Sequence, residues 1–114
     1  MEAVVIKVKK EAVEFLNFLP EVLLEDDYCS TYEHAKRIKD DIIEYIRKLD
    51  KVPHYRIARE TSYRYEGYGD DLWYSFFKRK SSPRTTWYIF FEKIGNQIIV
   101  DHITNNWIEG QYIR

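Results

Sequence analysis

The order of the sequence patterns predicts an α+β fold, in which a short N-terminal strand and an antiparallel pair of helices pack on a mainly antiparallel β-sheet. Residues 3–8 form a short β-branched run, residues 10–49 carry apolar residues at helical spacing, and residues 55–103 alternate as strands do. With 114 residues, 45% of them hydrophobic, the chain has enough apolar side chains for a single core. We therefore predict that residues 1–114 fold as one domain.

The first two elements follow from the residues near the N-terminus. Ala3–Val8 is interrupted only by Lys7 and predicts a strand, because β-branched side chains favour extended backbone. The helix that opens after it carries an apolar face made of Ala12, Phe15, Leu16, Leu19 and Leu23. Pro20 lies inside this pattern and lacks an amide donor, so we expect the helix to kink or restart there.

The second helix has the clearest start signal in the chain. Ser30 and Glu33 fit a capping box, in which the hydroxyl and the carboxylate satisfy each other's backbone amides. The apolar face that follows consists of Ala35, Ile38, Ile42, Tyr45, Ile46 and Leu49. Pro53 marks the end of the helical pattern, because proline disfavours helical backbone in the residue before it. Two such amphipathic helices are expected to pack side by side on one face of a sheet.

The remaining chain shows the two-residue period of β-strands. Leu72–Lys78 predicts one strand, and Thr85–Lys93 predicts the central strand, because its apolar residues lie on both faces. Gly95-Asn96 suits a two-residue hairpin turn with a positive φ at the glycine, and Ile98–Ile103 is the return strand. The residues after this strand predict an edge strand or a short tail.

The charge distribution is uneven, although the formal net charge is only −1. Residues 1–46 hold six Lys and Arg against eleven acidic residues, whereas residues 47–84 hold ten against five. The basic segment includes arginines that alternate with tyrosines over residues 55–65 and a basic loop over residues 78–84. Because phosphate contacts are made mainly by Arg and Lys, this segment indicates a surface that faces a polyanion. The alternative is that these charges only solvate exposed strands and turns.

Several functional classes leave no pattern in the sequence. A single cysteine, Cys29, excludes a disulfide within the chain and indicates a reducing compartment. The N-terminus lacks a basic region before its short apolar run, and no run approaches the roughly 18 apolar residues that a membrane helix needs. His34 and His54 lack metal-ligand spacing. We expect a cytoplasmic protein without a metal, a cofactor or a membrane partner.

Three stretches carry a resemblance to the RelE/ParE toxin family of small bacterial proteins. The first is the opening strand Val4–Val8 with the helix start Lys10–Leu16, and the second is the helix over His34–Pro53. The third stretch, Thr86–Ile103, is similar to the central hairpin of the family. The resemblance covers most of the chain and implies a RelE/ParE-like arrangement of the helix pair and the sheet.

The resemblance implies the toxin component of a type II toxin–antitoxin system. In the endonuclease branch of the family, the concave face of the sheet binds mRNA at the ribosomal decoding site, and a ribose 2′-hydroxyl attacks the adjacent phosphate. This metal-independent cleavage needs a proton acceptor, cations that stabilise the phosphate, and a donor for the leaving oxygen. The implied partners are a cognate antitoxin protein and either the ribosome with its mRNA or, for the gyrase-inhibiting branch, DNA gyrase.

Eight residues are candidates for these roles. Arg84 is the catalytic candidate for contact with phosphate, and His102 and Tyr112 are the candidates for proton transfer. The residues that we expect to contact RNA are Lys78, Arg79, Lys80, Arg56 and Arg64. Tyrosines beside these arginines would stack on bases while the arginines neutralise the RNA backbone.

Each assignment has a structural alternative. The arginines of residues 55–65 could pair across strands with Glu60 and Glu66, and His102 could be a hydrogen-bonded strand histidine. Tyr112 could anchor the C-terminal tail. The competing interpretation of the whole chain is a non-catalytic α+β module, or a degenerate toxin, that binds another protein. The abundance of tyrosine favours this second interpretation.

Overall fold

A computed structural model of the protein describes residues 3–25, 29–57, 71–80 and 82–106. The fold is α+β, as the sequence predicted, with two helices packed on a five-stranded mixed sheet. The elements in chain order are β1 (Val5–Val8), α1 (Lys10–Glu25), α2 (Tyr32–Arg47), a 3₁₀ turn (Leu49–Lys51), β2 (Tyr55–Arg56), β3 (Trp73–Arg79), β4 (Ser82–Ile94) and β5 (Gln97–Asn105).

The strand order β1-β5-β4-β3-β2 makes β4 the central strand, as predicted. The pairs β2–β3, β3–β4 and β4–β5 are antiparallel, whereas β1 pairs with β5 in parallel and places Val8 opposite Val100. Gly95 in the β4–β5 turn has a φ of 59°, as expected for a residue without a Cβ atom at this position. The sheet is therefore mainly antiparallel, and the predicted central hairpin is confirmed.

Alternate residues of the central strands point to the helices and form the core. Trp87, Ile89 and Phe91 of β4 are at most 1% exposed and pack with Val100 and Ile103 of β5. The helix residues in the same cluster include Ala12, Leu16, Leu19, Leu23, Ala35, Ile38, Ile42 and Ile46. Burial of each large apolar side chain contributes about 1.5–3 kcal/mol, so this face of the sheet provides much of the stability.

Two details of the helices differ from the sequence prediction. α1 runs through Pro20 as one helix, so the predicted restart is wrong. The proline ring is fully buried, and this burial offsets the amide hydrogen bond that proline cannot make. The N-cap of α2 is Thr31 rather than Ser30, because the Thr31 hydroxyl accepts a hydrogen bond from the His34 amide at 3.2 Å.

Within the described ranges, no helix combines the length and the apolar character that crossing a membrane requires.

A group of hydrogen bonds fixes β3 against α2. The Tyr45 hydroxyl donates to the Phe76 carbonyl oxygen at 2.9 Å and lies 2.6 Å from Ser75 Oγ, which donates to the Pro53 carbonyl oxygen at 2.9 Å. The Tyr45 ring also stacks on Phe77, with 4.6 Å between the centroids. Burial raises the pKa of Tyr45, so the phenol remains a donor at neutral pH. These contacts set the orientation of β3 and point its alternate side chains to the other face.

Candidate nucleic-acid interface

The face of the sheet that points away from α1 and α2 carries a line of rings in register. Tyr55 of β2 lies opposite Tyr74 of β3, and Tyr74 lies opposite Phe90 of β4. Phe90 in turn lies opposite His102 of β5. We name this face the distal face, and we name the line of Tyr55, Tyr74, Phe90 and His102 the aromatic row.

The rings of the distal face touch one another across the strands. In the aromatic row the centroids of Tyr55 and Tyr74 are 5.6 Å apart, those of Tyr74 and Phe90 6.0 Å, and those of Phe90 and His102 5.7 Å. A second row pairs Phe76 with Tyr88 at 6.1 Å. Tyr55 and Phe76 are exposed, and Tyr74 and Tyr88 are half-buried. Partly exposed rings that are held by their neighbours are platforms on which nucleic-acid bases stack.

The two half-buried tyrosines of the distal face remain uncharged at neutral pH. Burial raises the pKa of Tyr74, and the neighbouring Tyr55 hydroxyl adds to the shift. Burial likewise raises the pKa of Tyr88, with a smaller effect from Tyr74. A neutral phenol does not repel a phosphate, so these rings can approach an RNA strand closely.

A groove continues the distal face toward the β3–β4 hairpin. Lys78 of β3 lies opposite Thr86 of β4, and its side chain is exposed. The groove has a volume of about 280 Å³ and is lined by Tyr74, Phe76, Lys78, Thr86 and Tyr88. A cation beside aromatic rings is the combination that binds the phosphates and the bases of a single strand.

Asn106, directly after β5, holds the start of β4 at the end of this groove. The Thr86 amide donates to Asn106 Oδ1 at 2.8 Å, and Asn106 Nδ2 donates to the Arg84 carbonyl oxygen at 3.2 Å. The Arg84 side chain is exposed, two residues before Thr86. The structure thus places the predicted residues Arg84 and Lys78 at the same end of the sheet.

Sequence analysis missed a cluster of charged residues at the other end of the distal face. Lys9, directly after β1, has its Nζ 2.6 Å from Asp101 Oδ1 and 3.5 Å from Glu92 Oε2. Glu92 follows Phe90 by two residues and shares its face by strand alternation. Asp101 lies where the pairing of β4 with β5 shifts register, between Val100 and His102. The signal in the sequence was an acidic residue inside an apolar strand.

The environment of Asp101 changes its protonation. Burial raises the pKa of the Asp101 carboxyl to about 6, the neighbouring Glu92 adds to the rise, and the hydrogen bond from Lys9 opposes it. That same hydrogen bond raises the pKa of Lys9. At neutral pH the cluster therefore contains a cation and a carboxyl that titrates near the physiological range, one residue from His102.

The aromatic row and the basic end of the face are separated along the strands. His102 pairs with Phe90, and Lys78 pairs with Thr86, four residues away on β4. Four residues of a β-strand span about 13 Å. One phosphate therefore cannot contact His102 and Lys78 together, and a bound strand would need to extend over several nucleotides to reach both ends.

The structure places two of the predicted RNA-contact residues away from the distal face. Arg79 points to α2, where its Nε donates to Asp41 Oδ2 at 2.5 Å and its side chain is only 10% exposed. Arg56 forms an ion pair with Asp71, and its guanidinium lies 4.3 Å from the centroid of Trp73, a ring that packs on the helix side. Both arginines thus have structural roles in the described part of the chain.

The other predicted residues have simple placements. Lys80 is exposed in the turn after β3. Arg64 and Tyr112 lie outside the residues that the structure describes, as do Glu60 and Glu66.

Cys29 is buried, and this burial raises the pKa of its thiol despite the nearby Arg79 guanidinium. A thiol with a raised pKa is a poor nucleophile. Among the described side chains, no group of three or more His, Cys, Asp or Glu is arranged to hold a metal ion.

Comparison with protein-family models, with curated proteins and with solved structures gives no match. Functional interpretation therefore depends on the pattern of the sequence and on the geometry of the distal face.

Proposed function

We propose that this protein is the toxin component of a type II toxin–antitoxin system and that it cleaves mRNA on the ribosome without a metal. The observation that carries the proposal is the distal face. There, the aromatic row ends at His102, and a groove beside it reaches Lys78, with Arg84 two residues before Thr86 at the same end of the sheet. Rings for bases, cations for phosphates and a proton acceptor are three of the components that RNA binding and cleavage need.

A single strand of RNA would lie along the distal face. Bases would stack on Tyr74 and Tyr88, and each stacked base would contribute about 1–3 kcal/mol to the free energy of binding. Lys78 and Arg84 would contact phosphates. Because Lys78 and His102 lie about 13 Å apart along the strands, Arg84, at the same end as Lys78, would bind a nucleotide that flanks the reacting one. Glu92 and Asp101 lie beside His102, and Lys9 offsets part of their negative charge.

The proposed reaction needs no group beyond the chain and the RNA. His102 Nδ1 would accept the proton of the ribose 2′-hydroxyl, because Nε2 is buried, and the oxygen would attack the adjacent phosphorus. The bond from phosphorus to the 5′-oxygen breaks, leaving a 2′,3′-cyclic phosphate on one fragment. The 5′-oxygen takes a proton from a donor, for which the sequence offers Tyr112.

The test is pulse-labelling of protein and DNA synthesis in bacteria after tightly controlled induction. We expect protein synthesis to collapse first with the wild type and to persist with His102→Ala. Arg84→Ala should also reduce toxicity while the protein remains folded, and the exposed Arg47→Ala on α2 is the matched control that should stay toxic. An earlier fall of DNA synthesis would point to gyrase, and full toxicity of a folded His102→Ala variant would remove His102 from the mechanism.

A second candidate function is that of a non-catalytic module that binds another protein. The observation in its favour is that Tyr55 and Phe76 are exposed side by side, with ring centroids 5.3 Å apart, while Arg56 and Arg79 are engaged by carboxylates. Exposed aromatic clusters of this kind are common at protein interfaces. Unchanged protein and DNA synthesis, with soluble folded protein accumulating, would support this candidate over the toxin.

A further inference from the structure

Helix α1 exposes a line of apolar side chains next to the face that packs on the core. Phe18 is 65% exposed and Val22 is 45% exposed, although both lie in the middle of a 16-residue helix. Phe15 is half-buried and lies on the same side, so the three residues have the spacing i, i+3 and i+7 of one helical stripe. We name Phe15, Phe18 and Val22 the α1 stripe. A phenylalanine exposed to this degree within such a stripe indicates a surface that a partner covers.

The charged residues of α1 itself are almost all negative. The exposed acidic residues of the helix are Glu11, Glu14, Glu21 and Glu25. The helix has one basic residue, Lys10, and its Nζ lies 4.0 Å from Glu14 Oε1. The stripe is therefore an apolar line on an acidic helix.

This combination selects among the partners that could cover the stripe. Acidic residues repel nucleic acid and anionic lipid, so neither fits the surface. A second copy of α1 would bring its own glutamates against these and is disfavoured by the same repulsion. A protein helix with an apolar stripe and flanking lysines or arginines would satisfy both the apolar side chains and the charges.

We infer that the α1 stripe is the docking site for a basic amphipathic helix of another protein. The distance from Phe15 to Val22 is seven residues, or about 10 Å of helix, which matches two turns of a partner helix. Phe18 is the most exposed of the three and would be the central anchor, with the glutamates as a polar rim. The inference does not depend on the proposed RNA cleavage, because α1 lies on the opposite side of the sheet from the distal face.

The test uses a fluorescently labelled model peptide of about 16 residues, long enough to form a helix when bound. The peptide has leucines at helical spacing on one side and lysines on both flanks, and its binding to the full-length protein is followed by anisotropy. We expect Phe18→Ser to weaken binding about tenfold or more, and Glu21→Lys to weaken it and reduce its salt dependence. Ile94→Ser is the matched control, because Ile94 is equally apolar and exposed but lies at the end of β4.

Several results would overturn the inference. One is the absence of wild-type binding up to about 1 mM peptide. Another is equal binding of a peptide in which glutamate replaces each lysine. A third is unchanged binding by Phe18→Ser, with the variant folded by circular dichroism. Should Phe18→Ser fail to fold, Val22→Ser makes the same comparison. Concentration-dependent dimers of the wild type that Phe18→Ser abolishes would identify a second copy of the chain as the occupant instead.

Discussion

The two faces of the sheet come from the same strands, yet they differ in burial and in chemistry. On the helix side, Trp87, Ile89 and Phe91 are almost completely buried and purely part of the core. On the distal face, Phe90 is also fully buried and forms a second, smaller core cluster with Leu72, whereas Phe76 is 40% exposed. Strand alternation thus buries one face throughout, while the other combines a small core with exposed rings. Substitutions on the two faces should have different consequences.

The largest contrast is expected in stability. Ile89→Ala should lower the free energy of unfolding by about 2–5 kcal/mol, because it removes buried methylene groups and leaves a cavity. Phe76→Ala on the distal face should cost about 1 kcal/mol or less, since its ring is partly exposed already. Urea denaturation measures both changes in the free energy of unfolding, provided that the variants have the same m-value as the wild type. Equal losses for the two variants would mean that the distal face is as structural as the core.

The next effect is a pH dependence of stability that comes from Asp101. Its pKa is raised from 3.8 to about 6 in the folded protein, so the folded state binds this proton more tightly than the unfolded state. The protonated Asp101 carboxyl therefore contributes to the free energy of unfolding. This contribution is complete below about pH 4 and is lost as the pH rises through about 6. As the pH rises between these limits, the free energy of unfolding of the wild type should fall by up to about 3 kcal/mol relative to that of Asp101→Asn.

The control for this pH effect is Asp50→Asn, which changes an exposed carboxyl in the 3₁₀ turn. A pH dependence that appears equally in both variants would come from the loss of one negative charge rather than from the burial of Asp101. The measurement is chemical denaturation in a series of buffers at constant ionic strength. A flat difference between wild type and Asp101→Asn would show that Lys9 fully compensates the burial of the carboxyl.

The third effect concerns the binding of single-stranded RNA. Tyr88→Ala should weaken binding by about 1–3 kcal/mol, because the loss of a stacking ring removes one base contact. Tyr32→Ala provides the control, since Tyr32 is exposed at the start of α2 and lies away from the distal face. Fluorescence anisotropy with a labelled oligonucleotide gives both affinities. Equal affinities of the two variants would exclude Tyr88 as a stacking platform.

The smallest expected effect is a difference between Lys78 and Arg79 in the salt dependence of RNA binding. Lys78→Ala should reduce the slope of log affinity against log salt by about 0.7, the value for one phosphate contact to a single strand. Arg79→Ala should leave this slope unchanged, because Arg79 already pairs with Asp41 on the helix side. A reduced slope for Arg79→Ala, in a variant that folds, would contradict the assignment of Arg79 to the helix side of the sheet.

The sequence was most informative where a local period determines the structure. The apolar faces of α1, α2 and β4 and the Gly95-Asn96 turn were predicted, because each depends on spacing along one element. The aromatic row could not be predicted, because strand register depends on turns and bulges far apart in the chain. The same reason hid the meeting of Lys9 with Asp101.

The basic segment shows the limit of charge counting. Lys78 and Arg79 are adjacent in sequence, but strand alternation sends them to opposite faces. Arg56 likewise pairs with Asp71, a partner that sequence reasoning did not identify. A cluster of cations in the sequence therefore predicts a basic face only once the side of each residue is known.

The most direct test of the central claim is to map where RNA contacts the protein. Purified wild type would be cross-linked by ultraviolet light to a 4-thiouridine oligonucleotide, and the linked residues would be identified by mass spectrometry. The account predicts cross-links at Tyr74, Phe76 and Tyr88 on the distal face. Cross-links confined to α1 or α2, or none at concentrations where RNA binds, would contradict it.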